Sequence, residues 1–281
     1  MTAQIIDGRK IADEILNNIK KGVVESAQKP KLAIILIGND EASLIYVRNK
    51  QKAAEKAGII TELHHFDDKV SQEEVIKLID NCNRDSAVNG IIVQLPIPEH
   101  LNTNEIINRI SPQKDVDGFH PYNTGLLQNN EEPYFIAATP LGIMTMIKNF
   151  CPDLSGKNVV LIGASLIVGR PLATLMLNKE CTVTVTHIHT KNIKELTAKA
   201  DILVAACGVA KLVKKDWIKD GALLIDVGIN RENGKLCGDI DFDDVKDKAG
   251  AITPVPGGVG PMTVAMLLQN TYHAYLLQHK P

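Results

Sequence analysis

The sequence lacks an excess of charge of one sign and has no long uninterrupted apolar run. Its 31 Lys and Arg residues nearly balance 33 Asp and Glu residues, so we expect no nucleic-acid partner and no binding to an anionic membrane surface. No apolar stretch is long enough to cross a bilayer, and the N-terminus lacks the basic and apolar regions of a secretory signal. A cytoplasmic protein is therefore expected.

Cysteines are few, odd in number and dispersed, and no Cys-x-x-Cys pair occurs. They are Cys82, Cys151, Cys181, Cys207 and Cys237. This pattern argues against a disulfide framework and favours reduced thiols. The length of 281 residues suits one large or two modest domains.

Apolar segments of strand and helix type alternate along the first half of the chain. Continuous apolar runs closed by turn residues are typical of strands buried on both faces of a parallel sheet. The alternation predicts an α/β domain that binds ligands at the carboxyl ends of its strands. Strands are predicted at 32–37, 59–66 and 90–96, and helices at 11–24, 43–57, 71–83 and 104–110.

Ser43, Tyr46 and Lys50 fall on one face of the second predicted helix, because they are three and four residues apart. A tyrosine hydroxyl beside a partly desolvated lysine suits acid–base chemistry. A structural tyrosine with a lysine that extends to solvent is the alternative. Gln94 closes the third strand, where its amide could bond locally or present a donor and an acceptor to a ring ligand.

Two acids flank one valine in Asp115-Val116-Asp117-Gly118. This pattern is compatible with an Asx-turn or with a metal site. No third ligand lies at a recognisable spacing, so we predict no metal.

The second half contains a strand, a glycine-rich turn and a helix in succession. The strand at 158–162 leads into Gly163-Ala164-Ser165-Leu166-Ile167-Val168-Gly169, and a helix at 172–177 follows. This context suits a dinucleotide whose pyrophosphate binds at the helix N-terminus, although the spacing is not G-x-G-x-x-G. Further strands at 182–187, 201–206 and 222–227 complete a Rossmann-like series.

The end of the second strand in that series bears on cofactor choice. It carries no Asp or Glu for a ribose 2′-hydroxyl. Instead His187, His189 and Lys191, with Arg170 on the glycine-rich turn, favour a 2′-phosphate and hence NADP, with NAD left open. The two histidines would lie on one strand face, but a metal site there has no third ligand.

Three glycines and two prolines occupy the eight residues from Pro256 to Thr263. They predict a break in regular structure before a final helix that starts at about Thr263. A rigid turn would explain the composition alone. The octet Pro-Gly-Gly-Val-Gly-Pro-Met-Thr, however, resembles the signature of the bifunctional methylenetetrahydrofolate dehydrogenase/methenyltetrahydrofolate cyclohydrolase family.

Other segments resemble the same family in the same order, so the resemblance covers essentially the whole chain. They are residues 40–50, which are similar to its catalytic helix, 83–96, which end in its Gln-Leu-Pro strand, 114–118, which read Lys-Asp-Val-Asp-Gly, and 163–169, which are similar to its cofactor loop. The resemblance implies oxidation of 5,10-methylenetetrahydrofolate with NADP and hydrolysis of the product to 10-formyltetrahydrofolate, without a metal. It also implies one-carbon metabolism that serves purine biosynthesis.

The resemblance further implies two α/β domains that flank a cleft. We expect a folate-binding domain at 1–139, a Rossmann-like cofactor domain at 140–262, and a C-terminal helix at 263–281 that returns to the first domain. A homodimer through the cofactor domains is also implied.

By the same resemblance Lys50 is the central catalytic residue, Gln94 assists it, Tyr46 packs on the folate and Asp117 binds the pterin edge. A carboxylate facing adjacent N–H groups accepts charge-assisted hydrogen bonds. Further expected substrate-binding residues are Leu95, Pro96, Pro256, Gly257, Gly258 and Pro261. The expected cofactor-binding residues are Thr139, Gly163, Ala164, Ser165, Val168, Gly169, Arg170, His187, Ile188 and Ile229.

The sequence departs from the family pattern at two places. Ile188 stands where members often carry Ser or Arg, and it offers no donor to a phosphate. Ala137-Ala138 replaces the usual Pro-Cys before Thr139-Pro140, from which we expect altered packing rather than lost function.

Two other function classes share single features with this sequence. Short-chain dehydrogenases also use Tyr-x-x-x-Lys, but their glycine-rich loop precedes the tyrosine, whereas Tyr46 precedes Gly163 here. A non-catalytic folate- or nucleotide-binding protein is the second, and the joint presence of Tyr46, Lys50, Gln94 and Asp117 speaks against it.

Overall fold

The computed structural model describes residues 2–279, so the predicted helix residues Lys280 and Pro281 lie outside the described part. The chain divides into two compact units, which we name after their larger sheets. The six-stranded unit comprises the N-terminal segment through Ala12 and Thr139–Thr263, and the three-stranded unit comprises Asp13–Ala138 and the segment from Val264.

The helices and strands follow one another in an α/β series. In chain order they are β1 (Gln4–Ile5), α1 (Gly8–Val24), β2 (Lys31–Ile37), α2 (Glu41–Ala57), β3 (Ile60–Phe66), α3 (Gln72–Arg84), β4 (Gly90–Val93), α4 (Thr103–Arg109), α5 (Pro121–Gln128), α6 (Ala138–Phe150), β5 (Asn158–Ile162), α7 (Gly169–Leu177), β6 (Thr182–Thr186), α8 (Ile193–Thr197), β7 (Ile202–Ala205), β8 (Leu223–Asp226), β9 (Asn230–Glu232), β10 (Lys235–Cys237), α9 (Phe242–Val245), β11 (Ala251–Ile252) and α10 (Val259–Gln278).

The three-stranded unit contains a parallel sheet in the order β3-β2-β4. The central strand β2 is buried along nearly its whole length, which explains its unbroken apolar sequence. One core cluster packs strands β2 and β4 against helices α3 and α4. Ser71 and Glu74 form the capping box expected at the start of α3, and Gly58 ends α2 in the left-handed conformation.

The six-stranded unit contains a parallel sheet in the order β1-β11-β8-β7-β5-β6. The order reverses at β5, because β6 pairs with one edge of that strand and β7 pairs with the other. Such a reversal creates a crevice at the carboxyl ends of the strands. The predicted α/β fold with a parallel, Rossmann-like sheet is confirmed.

The N-terminal segment belongs to a different unit from the one predicted. Residues 1–139 were expected in one domain, but the segment through Ala12 clusters with the six-stranded unit. The reason is that β1 pairs in parallel with β11, with Gln4 opposite Ala251. Two-residue strands have too little pattern to be predicted locally.

The part of the chain that the structure describes contains no helix long and apolar enough to span a membrane.

Candidate functional site

Helix α2, which carries Tyr46 and Lys50 on one face, begins at a side-chain cap. The Asp40 carboxylate accepts the N–H of Ser43 at 2.7 Å, and this bond holds the pKa of Asp40 below its usual value. Lys50 is 8% exposed and Tyr46 is 39% exposed. Burial raises the pKa of Tyr46, so its hydroxyl keeps its proton at neutral pH.

Lys50 lies against the residue that follows β4. Its Nζ donates to Gln94 Oε1 at 3.0 Å, and Gln94 Nε2 donates to the Leu95 carbonyl at 2.8 Å. The second bond fixes the orientation of the amide, so its oxygen faces the ammonium. Gln94 is itself buried, and the Leu95–Pro96 peptide bond that follows is cis.

Asp117 lies on a turn that Asp115 holds together. Asp115 is buried and accepts the N–H groups of Phe119 and His120 and the Nδ2 of Asn123. Burial raises the pKa of Asp115 to about 7. Burial also raises the pKa of half-buried Asp117, while the charge of Lys50 lowers it. Asp115 therefore acts within the turn, and Asp117 lies within electrostatic range of Lys50.

One residue near this turn was missed from the sequence. Asn270 of α10 is buried, and its Nδ2 donates to the carbonyls of Val116 and Ile136, each at 2.9 Å. It thereby fixes the backbone on the N-terminal side of Asp117. Asn270 follows the apolar run 264–268 of the same helix, but neighbouring Gln269 and Thr271 are polar too, so no clear signal in the sequence distinguished it.

The glycine- and proline-rich box belongs to the six-stranded unit, whereas Lys50, Gln94 and Asp117 belong to the three-stranded unit. Gly257 has φ +110°, and its carbonyl accepts the N–H of Arg9 at 3.0 Å. A Cβ at Gly8 would lie 2.0 Å from the carbonyl oxygen of Gly258, so both segments need glycine there.

The expectation that this box cannot be helical is wrong for its second half, because α10 begins at Val259. Pro261 falls in the first turn, where helix N–H groups have no partner within the helix and proline is tolerated.

The glycine-rich turn after β5 forms a compact cradle at the start of α7. Gly163 has φ +119°, and a Cβ at Gly169 would lie 2.1 Å from the Gly163 carbonyl oxygen. Ser165 Oγ accepts the N–H of Val168 at 3.1 Å, and Arg170 Nε donates to the Ala164 carbonyl at 3.2 Å. A tight turn that opens onto a helix N-terminus fits a pyrophosphate group.

His187, Ile188 and His189 lie in a turn, not on one strand face as expected, because β6 ends at Thr186. His187 N–H donates to Thr190 Oγ1 and His189 N–H donates to His187 Nδ1. These bonds curl the segment back on itself. The side chain of Ile188 is left 93% exposed.

The remaining expected cofactor residues are also in the six-stranded unit. Thr139 Oγ1 lies 2.9 Å from Thr263 Oγ1, and Ile229, half exposed, follows β8. Ala137 and Ala138 are both buried, with the Ala137 nitrogen only 2.5 Å from where a Cβ at Gly118 would lie. Among residues 2–279 no group of three or more His, Cys, Asp and Glu could hold a metal ion.

Family models match both halves of the chain. Residues 6–117 match the catalytic domain of tetrahydrofolate dehydrogenase/cyclohydrolase, and residues 137–279 match the NAD(P)-binding domain of the same family.

Whole proteins match as well. The chain is 52% identical to the bifunctional protein FolD of Aquifex aeolicus, over 97% of this chain and 95% of that one. The crystal structure of the FolD methylenetetrahydrofolate dehydrogenase/cyclohydrolase from Campylobacter jejuni has a TM-score of 0.95 and 44% identity, and it covers 97% of this chain and 98% of its own. The Trypanosoma brucei enzyme, solved with NADP cofactor and an inhibitor, has a TM-score of 0.96 and 35% identity over 100% of both chains.

Proposed function

The chain belongs to the tetrahydrofolate dehydrogenase/cyclohydrolase family, and from this premise we propose which of its residues carry out the two reactions. The protein is a bifunctional enzyme that oxidises 5,10-methylenetetrahydrofolate to 5,10-methenyltetrahydrofolate and hydrolyses that product to 10-formyltetrahydrofolate. The Lys50–Gln94 contact is the observation that carries the proposal, because it places a buried ammonium beside a fixed amide.

The three-stranded unit binds the folate. Asp117 accepts hydrogen bonds from the N–H groups of the pterin's amino-pyrimidine edge, and Tyr46 packs against the ring system. A carboxylate on a pair of N–H donors orients the ring more firmly than a neutral acceptor would. Leu95 and Pro96, which continue directly from Gln94, line the same end of β4. In the six-stranded unit, Gly257 and Gly258 lack a Cβ, so a ligand can approach their backbone closely. Pro256 and Pro261 are the other expected substrate-binding residues of that unit.

Lys50 acts as the general base and general acid of the hydrolysis. Water adds to the cationic one-carbon bridge and loses a proton, which gives a neutral carbinol. The bond from that carbon to N5 then breaks as N5 gains a proton and the carbinol hydroxyl loses its proton to become the formyl carbonyl, so one proton is released overall. An amine that alternates with its ammonium form performs these transfers. Gln94 Oε1 accepts from Lys50 Nζ, so the lysine is held in one position through the cycle. The Gln94 amide is neutral, so it holds Lys50 without adding a charge to the site.

The six-stranded unit binds NADP. When bound, NADP supplies the oxidised nicotinamide that accepts a hydride from the one-carbon bridge. The turn from Gly163 to Gly169 and the N-terminus of α7 would hold the pyrophosphate. Arg170 and Lys191 are the available cationic groups for a 2′-phosphate, and His187 and His189 are available as ring N–H donors, since Ile188 offers neither. Thr139 and Ile229 complete the expected set.

Three finer statements belong to the same proposal and rest on the family resemblance. The enzyme forms a homodimer through its six-stranded units, functions in the cytoplasm, and supplies one-carbon units to purine biosynthesis.

One assay tests the function against its alternative, a folate-binding protein without activity. Purified protein is incubated with 5,10-methylenetetrahydrofolate and either NADP or NAD, and formation of reduced nicotinamide is followed. Loss of added 5,10-methenyltetrahydrofolate is followed separately. We expect both activities, and we expect oxidation to be faster with NADP than with NAD. Tight folate binding without turnover in either assay would contradict the proposal.

A further inference from the structure

Two buried carboxylates meet at the carboxyl end of β8 in the six-stranded unit. Asp226 is the last residue of β8 and is 4% exposed, and Asp239 follows β10 and is 0% exposed. The ion pairs within the described residues include neither of them. Both are instead satisfied by hydrogen-bond donors of neighbouring loops.

Asp226 binds the backbone on two sides. Its Oδ1 accepts the N–H of Gly228 at 3.0 Å and that of Asp239 at 2.9 Å, and its Oδ2 accepts the N–H of Ile240 at 2.9 Å. The loop that follows β8 and the segment that follows β10 are therefore fixed to the same side chain.

Asp239 extends this arrangement to the neighbouring strand. Its Oδ2 accepts the N–H groups of Cys207 and Gly208, at 2.7 and 3.0 Å, just beyond the end of β7. Its Oδ1 accepts from Asn230 Nδ2 at 2.9 Å. The two carboxylates together accept five backbone N–H groups, which belong to the segments that follow β7, β8 and β10.

Two glycines allow the backbone to lie close to the carboxylates of Asp226 and Asp239. A Cβ at Gly238 would lie 1.8 Å from Asp226 Oδ2, and a Cβ at Gly228 would lie 2.2 Å from Asp239 Oδ1. The two carboxylates therefore require glycine at both positions. Neither carboxylate has a cationic partner, and burial raises the pKa of Asp226 to about 7. Burying carboxyl groups in this way is costly for stability. Features that oppose stability in an otherwise consistent fold concentrate at functional sites.

The loops so held lie where half of a dinucleotide binds. In a doubly wound sheet the ligand crosses the carboxyl ends at the reversal of strand order, with its pyrophosphate on the first glycine-rich turn. Here that turn follows β5, and β6 lies on the adenosine side. The nicotinamide half would therefore extend over the ends of β7 and β8, which continue the sheet on the other side of β5.

We propose that Asp226 and Asp239 are positioning residues for the nicotinamide half of the cofactor, an inference that rests on the proposed binding of NADP. They do not contact the cofactor. Through the N–H groups of Cys207, Gly208 and Gly228 they fix the backbone of residues 206–209 and 227–230, so that the surface under the nicotinamide is rigid before the cofactor binds. The N–H groups of Asp239 and Ile240 link the two carboxylates to each other.

An exchange of polarity between Asp239 and Asn230 tests this. In Asp239→Asn, the amide oxygen can still accept from Cys207 and Gly208, but its NH2 then opposes the NH2 of Asn230. In Asn230→Asp, two carboxylates oppose each other. The double variant restores one donor facing one acceptor. We measure KM and kcat for NADP in the oxidation, and cyclohydrolase kcat/KM, which needs no nicotinamide, as the control in the same preparation.

We expect each single variant to raise KM for NADP about tenfold, as expected for loss of a hydrogen bond to a charged group. Cyclohydrolase activity should stay within about twofold of wild type, and the double variant should recover most of the NADP affinity, as coupled pairs do. Asn230→Ala, which leaves both carboxylates in place, provides a milder version that should raise KM for NADP by a smaller factor if Asp239→Asn does not fold.

Unchanged KM for NADP in these variants would overturn the inference. Equal losses of both activities without recovery in the double variant would also overturn it, because the carboxylates would then only support the fold. Absence of NADP-dependent oxidation in the wild-type protein would instead contradict the proposed function.

Discussion

Lys50 Nζ and Gln94 Oε1 lie 3.0 Å apart, and this bond joins a buried ammonium on α2 to the residue that follows β4. A group held in this way can transfer protons without first changing its position. The contact leads to the first prediction.

Replacing Lys50 with Met should nearly abolish conversion of 5,10-methenyltetrahydrofolate while leaving the fold intact. Methionine keeps a long apolar side chain but cannot transfer a proton. Lys56→Met, an exposed lysine in the last turn of the same helix, is the matched control and should retain wild-type activity. Cyclohydrolase activity of Lys50→Met within about threefold of wild type would remove Lys50 from proton transfer, since general acid–base catalysis contributes about 10²–10⁴-fold.

Asp117→Asn should weaken folate binding and leave NADP binding unchanged. Only the pterin loses a charge-assisted acceptor, and such a bond contributes roughly 1.5–3 kcal/mol. Calorimetric titration with each ligand measures the two affinities, and the NADP titration serves as the internal control. Equal losses for both ligands would mean that Asp117 only supports its turn.

Ile188→Arg should raise the ratio of kcat/KM for NADP over that for NAD. An exposed guanidinium at this position gives a 2′-phosphate a bidentate partner, which NAD cannot use. Ile188→Leu keeps the apolar character and should leave the ratio unchanged. If Ile188→Arg changes both cofactors equally, the turn from His187 to Thr190 does not face the phosphate.

Asp115 should make the protein less stable as pH rises from about 5 to 8. Burial raises the pKa of its carboxyl to about 7, whereas an unfolded aspartate has a pKa of about 3.9. Between these values the folded chain holds a proton that the unfolded chain has released, so the free energy of unfolding falls as pH rises. Above the folded-state pKa this contribution is lost.

Asp115→Asn removes that dependence. Urea unfolding of both proteins at several pH values should show the variant gaining stability relative to wild type between pH 5 and 8. Glu25→Gln, at an exposed carboxylate, should show no comparable change. A constant difference between Asp115→Asn and wild type over this range would refute the assignment.

Local sequence signals predicted the parts of the fold that local forces determine. Gly58 and the Ser71–Glu74 capping box end and begin their helices as expected, because each satisfies backbone groups within a few residues. The same holds for the buried strand β2 and for the spacing of Tyr46 and Lys50 on α2.

The missed features depend on partners distant in the chain. β1 exists because β11 is beside it, and Asn270 reaches Val116 across 154 residues. The hairpin of β9 and β10 is different, because Asn233-Gly234, both with positive φ, is a turn signal that could have been read. The contacts of Asp226 and Asp239 could not have been predicted from the sequence, since three separate loops converge on these two side chains.

The pairing of β1 with β11 also has a consequence for biosynthesis. Gln4 of β1 has its partner Ala251 almost 250 residues later in the chain, whereas most of the three-stranded unit comes from the continuous segment Asp13–Ala138. Contacts between distant residues form late, and units made of consecutive residues fold during synthesis. The edge of the six-stranded sheet is therefore completed only after β11 has been synthesised, and until then Gln4 and Ile5 lack their partner strand.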